Sequence, residues 1–80
     1  MNKTIEITVK LFAHYRENKF KVQNRTYPEG TTVRDVIDDT GIDIEKFPVG
    51  ILLANGRHID EEYVLKDSDV LAIFPKVGGG

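Results

Sequence analysis

The stretch Thr31-Thr32-Val33-Arg34-Asp35-Val36-Ile37-Asp38-Asp39-Thr40-Gly41-Ile42 carries the one strong helical pattern in this 80-residue chain. Val33, Val36 and Ile37 recur at i, i+3 and i+4, so they share one face and give the helix a side to bury. Thr32 stands where its hydroxyl can accept an orphan amide, and Asp35, three residues on, completes a short capping box. Gly41 followed by Ile42 reads as a left-handed stop with a hydrophobic contact. Asp38 and Asp39 oppose the helix dipole at a cost of about 0.3–1 kcal/mol each, and read as a solvated face.

Around this helix the chain alternates. Before it, Ile5, Ile7, Val9 and Leu11 fall on one face and Glu6, Thr8 and Lys10 on the other, predicting a half-buried strand over Thr4–Phe12. Phe12 lands on the polar side, so either the strand ends before it or it is an exposed aromatic. His14–Asn18 reads as a loop or one helical turn. Lys19 to about Tyr27 reads as a second strand, antiparallel to the first, with a bulge at Asn24-Arg25 where the pattern blurs. Pro28-Glu29-Gly30 stops it.

After the helix, Asp43–Pro48 is a connector, and Val49-Gly50-Ile51-Leu52-Leu53-Ala54 is a short, continuously apolar strand. Asn55-Gly56 is a strong hairpin turn, and Arg57-His58-Ile59 the returning strand. Asp60–Leu65 crosses over with Tyr63 and Leu65 as buried pegs, Asp67–Asp69 turns, and Val70–Phe74 is the last strand. Antiparallel strands with a single helix on one face predict an α+β domain with a four- to five-stranded mixed sheet. The long excursion between the first and last strands lets them lie side by side in parallel.

The chain then runs Phe74-Pro75-Lys76-Val77-Gly78-Gly79-Gly80. Pro75 cannot donate to a ladder, so pairing is expected to stop there. Residues 1–75 read as the folded domain and 76–80 as a slender, flexible tail that presents the Gly80 carboxylate. A frayed terminus is the plainer reading of the same glycines.

Much chemistry is excluded by composition. Without cysteine there are no disulfides, thiolate metal sites or cysteine nucleophile, which suits a reducing, cytoplasmic setting. His14 and His58 stand alone, without metal-ligand spacing. The glycines lack the helix and Lys-Ser/Thr of a phosphate-binding loop, and no Ser/His/Asp set is present. No apolar run approaches membrane-spanning length, and none follows Lys3 as in a signal peptide. The formal charge of −2 hides an asymmetry: residues 1–34 carry seven Lys/Arg against three Asp/Glu, and residues 35–80 four against ten. That balance argues against nucleic acid and fits docking of the acidic half on a basic protein surface.

Three segments taken together resemble the MoaD/ThiS family of ubiquitin-like sulfur carriers. They are Val9-Lys10-Leu11-Phe12-Ala13 with Arg16-Glu17 soon after, Pro28-Glu29-Gly30-Thr31-Thr32-Val33, and Phe74-Pro75-Lys76-Val77 before the glycines. The long first hairpin and the Phe-Pro-x-Val approach are more similar to the MoaD branch, the small subunit of molybdopterin synthase. Lys76 stands where such tails commonly have a second proline, and Gly78 adds a third glycine.

The resemblance implies a β-grasp fold and no enzymatic activity of the chain by itself. It implies that an E1-like (MoeB/ThiF-like) enzyme uses ATP to adenylate Gly80, and that a sulfur donor then forms a thiocarboxylate there. Lys76, Val77, Gly78 and Gly79 would enter a partner's active site, and Phe12, Phe74 and Pro75 would form a contact patch at the root of the tail. The MoaD branch further implies a larger, MoaE-like synthase subunit and a pterin acceptor, with no metal or cofactor on the chain itself. Transfer of sulfur to thiamine or tRNA, attachment of Gly80 to protein lysines, and an interaction module with an inert tail are the alternatives.

Overall fold

The computed structural model describes residues 3–17 and 19–76. Its elements are β1 (Thr4–Leu11), a 3₁₀ turn (Ala13–Arg16), β2 (Val22–Pro28), α1 (Val33–Thr40), β3 (Val49–Ala54), β4 (Arg57–His58) and β5 (Val70–Pro75). The sheet has the order β2-β1-β5-β3-β4. The first and last strands are parallel neighbours, and the other pairings are antiparallel.

The helix forms as its residues dictate. Thr32 accepts the Asp35 amide at 3.2 Å, and the Asp35 carboxylate accepts the Thr32 amide at 3.0 Å. Gly41 closes the far end at φ +82°, a left-handed conformation that costs glycine nothing in side-chain clashes. Two further orphan amides, on Val33 and Arg34, are taken by the Tyr63 and Glu61 carbonyls of the crossover. The crossover therefore serves as an external cap for α1, while Leu65 seals its underside and Tyr63 is half-buried.

Val33, Val36 and Ile37 face Ile7, Val9 and Leu11 of β1 and Leu71 and Ile73 of β5 in one core. Full burial of each such side chain is worth about 1.5–3 kcal/mol, so this layer supplies most of the drive to fold. Asp38 accepts from Arg34 at 3.1 Å, and Asp39 from Arg25 at 2.7 Å and Tyr27 at 2.8 Å. The acidic end of the helix is thus exposed yet paired, and Asp39 ties it to the edge strand.

Three expectations change. No bulge occurs at Asn24-Arg25, because seven pairs run from Thr4↔Pro28 to Lys10↔Val22 without a shift. The pattern blurs there because β2 is an edge strand open to solvent, where Asn24 accepts from Thr8 and Gln23 from Arg25. β2 also begins later, at Val22, and reaches Pro28, whose missing donor is tolerated at an edge. The third change concerns Pro75 and belongs to the site.

Candidate functional site

Parallel pairing of Leu11 with Ile73 places Phe12 beside Phe74. Leu11 and Ile73 point into the core, so their successors emerge on the face opposite the helix. There the two rings stack, centroids 4.1 Å apart and planes 10° from parallel. Each covers part of the other, and both are half-buried. Ile51 of β3 pairs with Phe74 and is 44% exposed. Leu53, which pairs with Ala72, extends the same apolar face, and Lys10 stands beside Ala72 on the other side.

The unbroken apolar run of β3 now has an explanation. Leu52 and Ala54 point into the core, whereas Ile51 and Leu53 line the open face. Ile51 and Leu53 thus leave an apolar patch on the face opposite the helix, open to solvent at Ile51.

At Pro75 the two ladders diverge. In a parallel ladder the next donor to the Phe12 carbonyl would be the amide of residue 75, which a proline lacks. The Phe12 carbonyl instead accepts from the Tyr15 amide at 3.1 Å, which starts the 3₁₀ turn. On the β3 side, pairing does not stop at Pro75 as the sequence suggested. Val49 pairs with Pro75, and the Lys76 amide donates to the Pro48 carbonyl at 2.8 Å. A register shift between Val49 and Ile51 leaves Gly50 as the extra residue of a bulge, a place where proline is accommodated in a sheet. Pro75 is buried and Lys76 exposed. Val77, Gly78, Gly79 and Gly80 lie outside the described residues.

Beside this root, the 3₁₀ turn and the connector before β3 form an aromatic cluster. His14 lies 5.4 Å edge-on from Tyr15 and 5.1 Å from Phe47, centroid to centroid. The buried Tyr15 donates its hydroxyl hydrogen to the Phe47 carbonyl, and burial pushes its phenol above the ordinary value of 10.0. This bond pins the connector that delivers Pro48 to Lys76. A cleft of about 230 Å³ opens between Tyr15, Glu17, Lys19, Ile42, Phe47 and His14. Among the described residues no group of three or more His, Cys, Asp or Glu side chains could hold a metal ion, and no helix is long and apolar enough to cross a membrane.

Sequence reasoning brought Phe12, Phe74, Pro75 and Lys76 to one place and missed Tyr15, Gly50 and Ile51. Gly50 had left a signal, since a lone glycine inside an apolar strand marks a bulge or a close backbone approach.

A five-stranded mixed sheet with its first and last strands parallel, one helix across it and a final strand leading into a glycine tail define a ubiquitin-like β-grasp protein of the small carrier type. The ThiS family model matches residues 9–80, and the chain belongs to that family. Among solved structures it is similar to a candidate molybdopterin converting factor, subunit 1, from Pyrococcus furiosus, at 31% identity and TM-score 0.73, covering 91% of this chain and 99% of that one. It is similar also to small archaeal modifier protein 1 from Methanosarcina acetivorans, at 30% identity and TM-score 0.70, covering 98% and 99%. The Haloferax volcanii small archaeal modifier protein 1 shares the fold at 22% identity and TM-score 0.73, over 94% and 99%. No curated protein matched by sequence.

Proposed function

We propose that this chain is a cytoplasmic sulfur carrier whose reacting group is the carboxylate of Gly80. The observation that carries the reading is the tail root: a strand of the central sheet, fixed as far as Lys76, leads directly into the glycines in a chain of the ThiS family. A carboxylate is ionised at neutral pH and is a poor electrophile. An E1-like, MoeB/ThiF-like enzyme supplies ATP, the carboxylate oxygen attacks the α-phosphorus, and pyrophosphate leaves. A sulfur nucleophile at the oxidation level of sulfide then attacks the acyl carbon and expels AMP, leaving a thiocarboxylate. Glycines suit a terminus that must pass through narrow channels, because they add no side chain beside the reacting carbonyl.

The acceptor we favour is a pterin precursor of the molybdenum or tungsten cofactor, held by a larger MoaE-like subunit. Similarity at 31% identity to the Pyrococcus furiosus protein supports it. The apolar face of Phe12, Phe74 and Ile51 is the docking patch for these partners, with the aromatic stack at its centre. The chain itself binds no cofactor, nucleic acid or membrane in this account.

A second reading draws on similarity at 30% identity to the Methanosarcina acetivorans modifier. The same adenylate would then pass to a protein lysine, whose amine forms an isopeptide bond as AMP leaves. Both readings require Gly80. Pyrophosphate release with the host activating enzyme and ATP tests this shared step. Release from ATP with the intact chain and none with a chain lacking Gly79 and Gly80 is expected, whereas equal release, or none with either, contradicts the proposal and favours an interaction module with an inert tail.

A further inference from the structure

Gly50 meets the tail root more closely than any side chain could. A Cβ built on it would lie 2.8 Å from the Lys76 Cα, 2.8 Å from the Pro75 carbonyl oxygen and 3.0 Å from the Lys76 nitrogen. All three are backbone atoms, so no rotamer change could relieve the contact. Gly41 also forms part of a turn, yet there the nearest atom to such a Cβ is the flexible end of Lys19, 4.0 Å away. At Gly30 and Gly56 nothing lies within 4 Å. Gly50 differs again in needing no positive φ, so its glycine is explained by closeness alone.

The neighbours of Gly50 show what that closeness achieves. Two residues earlier the Pro48 carbonyl accepts the Lys76 amide at 2.8 Å, and one residue later Ile51 pairs with Phe74. The bulge thus folds the start of β3 against the backbone at Pro75 and Lys76, on the side of β5 away from β1. On the β1 side the ladder has already ended for want of a Pro75 donor. Lys76 is therefore held from the β3 side.

We infer that Gly50 is a positioning residue for the reacting terminus: by lacking a side chain it lets β3 clamp the tail root, and so fixes where the tail leaves the body. This rests on the carrier reading above. Four residues follow Lys76 and reach at most about 14 Å when extended. With the body docked through its open face, a displacement of the root is lost directly from that reach. Bulges beside functional sites commonly re-aim the chain in this way.

The test compares Gly50→Ala with the unaltered chain in two measurements. Amide hydrogen exchange at Lys76 reads the clamp, and steady-state adenylation by the activating enzyme reads its consequence. Protection of the Lys76 amide in the unaltered chain is expected, with its loss in Gly50→Ala while the β1 and α1 amides stay protected. The kcat for adenylation should fall on the order of 10–100-fold, since small misplacements of a reacting group cost that much. KM should stay within about threefold, because the docking face is intact.

Unchanged kcat in Gly50→Ala, a change confined to KM, or a Lys76 amide that exchanges freely in the unaltered chain overturns the inference. If Gly50→Ala does not unfold cooperatively, amide exchange in the unaltered chain carries the test: a protected Lys76 amide supports the clamp, and one that exchanges as freely as an unstructured amide refutes it. An unaltered chain that is never adenylated overturns the carrier reading and this role with it. Failure in Gly50→Ala alone leaves the carrier reading standing.

Discussion

Phe12 and Phe74, 62 positions apart, stack face to face at 4.1 Å because parallel strands β1 and β5 end side by side. The pair sits on the helix-free face immediately before Pro75. It joins the first strand of the fold to the end of the last strand, so packing at this point bears on stability.

A double-mutant cycle on Phe12→Leu and Phe74→Leu should return a coupling of about 0.5–1.5 kcal/mol, the usual excess of an aromatic pair over its buried area. Denaturant unfolding of the four proteins measures it. Additive losses would mean that the rings only cover area.

Ile51→Lys separates docking from folding. Ile51 is 44% exposed on the open face, so stability should change by no more than about 1 kcal/mol. Affinity for the activating enzyme, measured by calorimetric titration, should fall about tenfold or more if this face is buried in the complex. An unaltered affinity would move the interface elsewhere.

The helix, its capping box, its glycine stop and the Asn55-Gly56 turn were legible in the sequence because each depends on residues a few positions apart, and the parallel first and last strands because the long excursion between them permits a crossover. Asn55 and Gly56 indeed both adopt positive φ, as the tight turn requires. What stayed hidden depends on distant partners. The polar residues of β2 blurred the alternation without any bulge, since an edge strand has no second neighbour to enforce a pattern. The bulge at Gly50 lies against Pro75, 25 positions away. Tyr15 read as part of a polar loop, yet it is buried because its hydroxyl finds the Phe47 carbonyl. Phe12 and Phe74 were placed together from alternation and strand order, but their mutual stacking and the flanking Ile51 needed the register.

Thr32→Ala should destabilise the chain by about 1 kcal/mol, the common cost of losing an N-cap. Asp35 gives the same cap a pH signature. Hydrogen bonds from the Thr32 backbone amide, and then its hydroxyl, hold the Asp35 carboxyl below its ordinary 3.8. A depressed folded pKa favours the fold above the unfolded value. The contribution should therefore be complete above pH 3.8 and fade as the pH drops below it. Acid titration of unfolding free energy in Asp35→Asn should lack that component.

Tyr15→Phe should cost about 0.5–1.5 kcal/mol by removing the donor to the Phe47 carbonyl. Desolvation raises the Tyr15 phenol above 10.0, so its folded form favours the neutral ring. The stabilisation should be complete below pH 10.0 and be lost as the pH rises through the elevated folded value. Alkaline unfolding of the two proteins, followed by circular dichroism, compares them. The Tyr15→Phe curve should be flatter in that range.

Intact mass of the chain after incubation with its host's activating enzyme, ATP and a sulfur source reads the carrier chemistry at its reacting atom. One oxygen should be replaced by sulfur, fragmentation should place the change at Gly80, and omitting ATP should abolish it. An unchanged mass in the presence of a competent activating enzyme would contradict the carrier function and leave the apolar face of Phe12, Phe74 and Ile51 as the working part of the molecule.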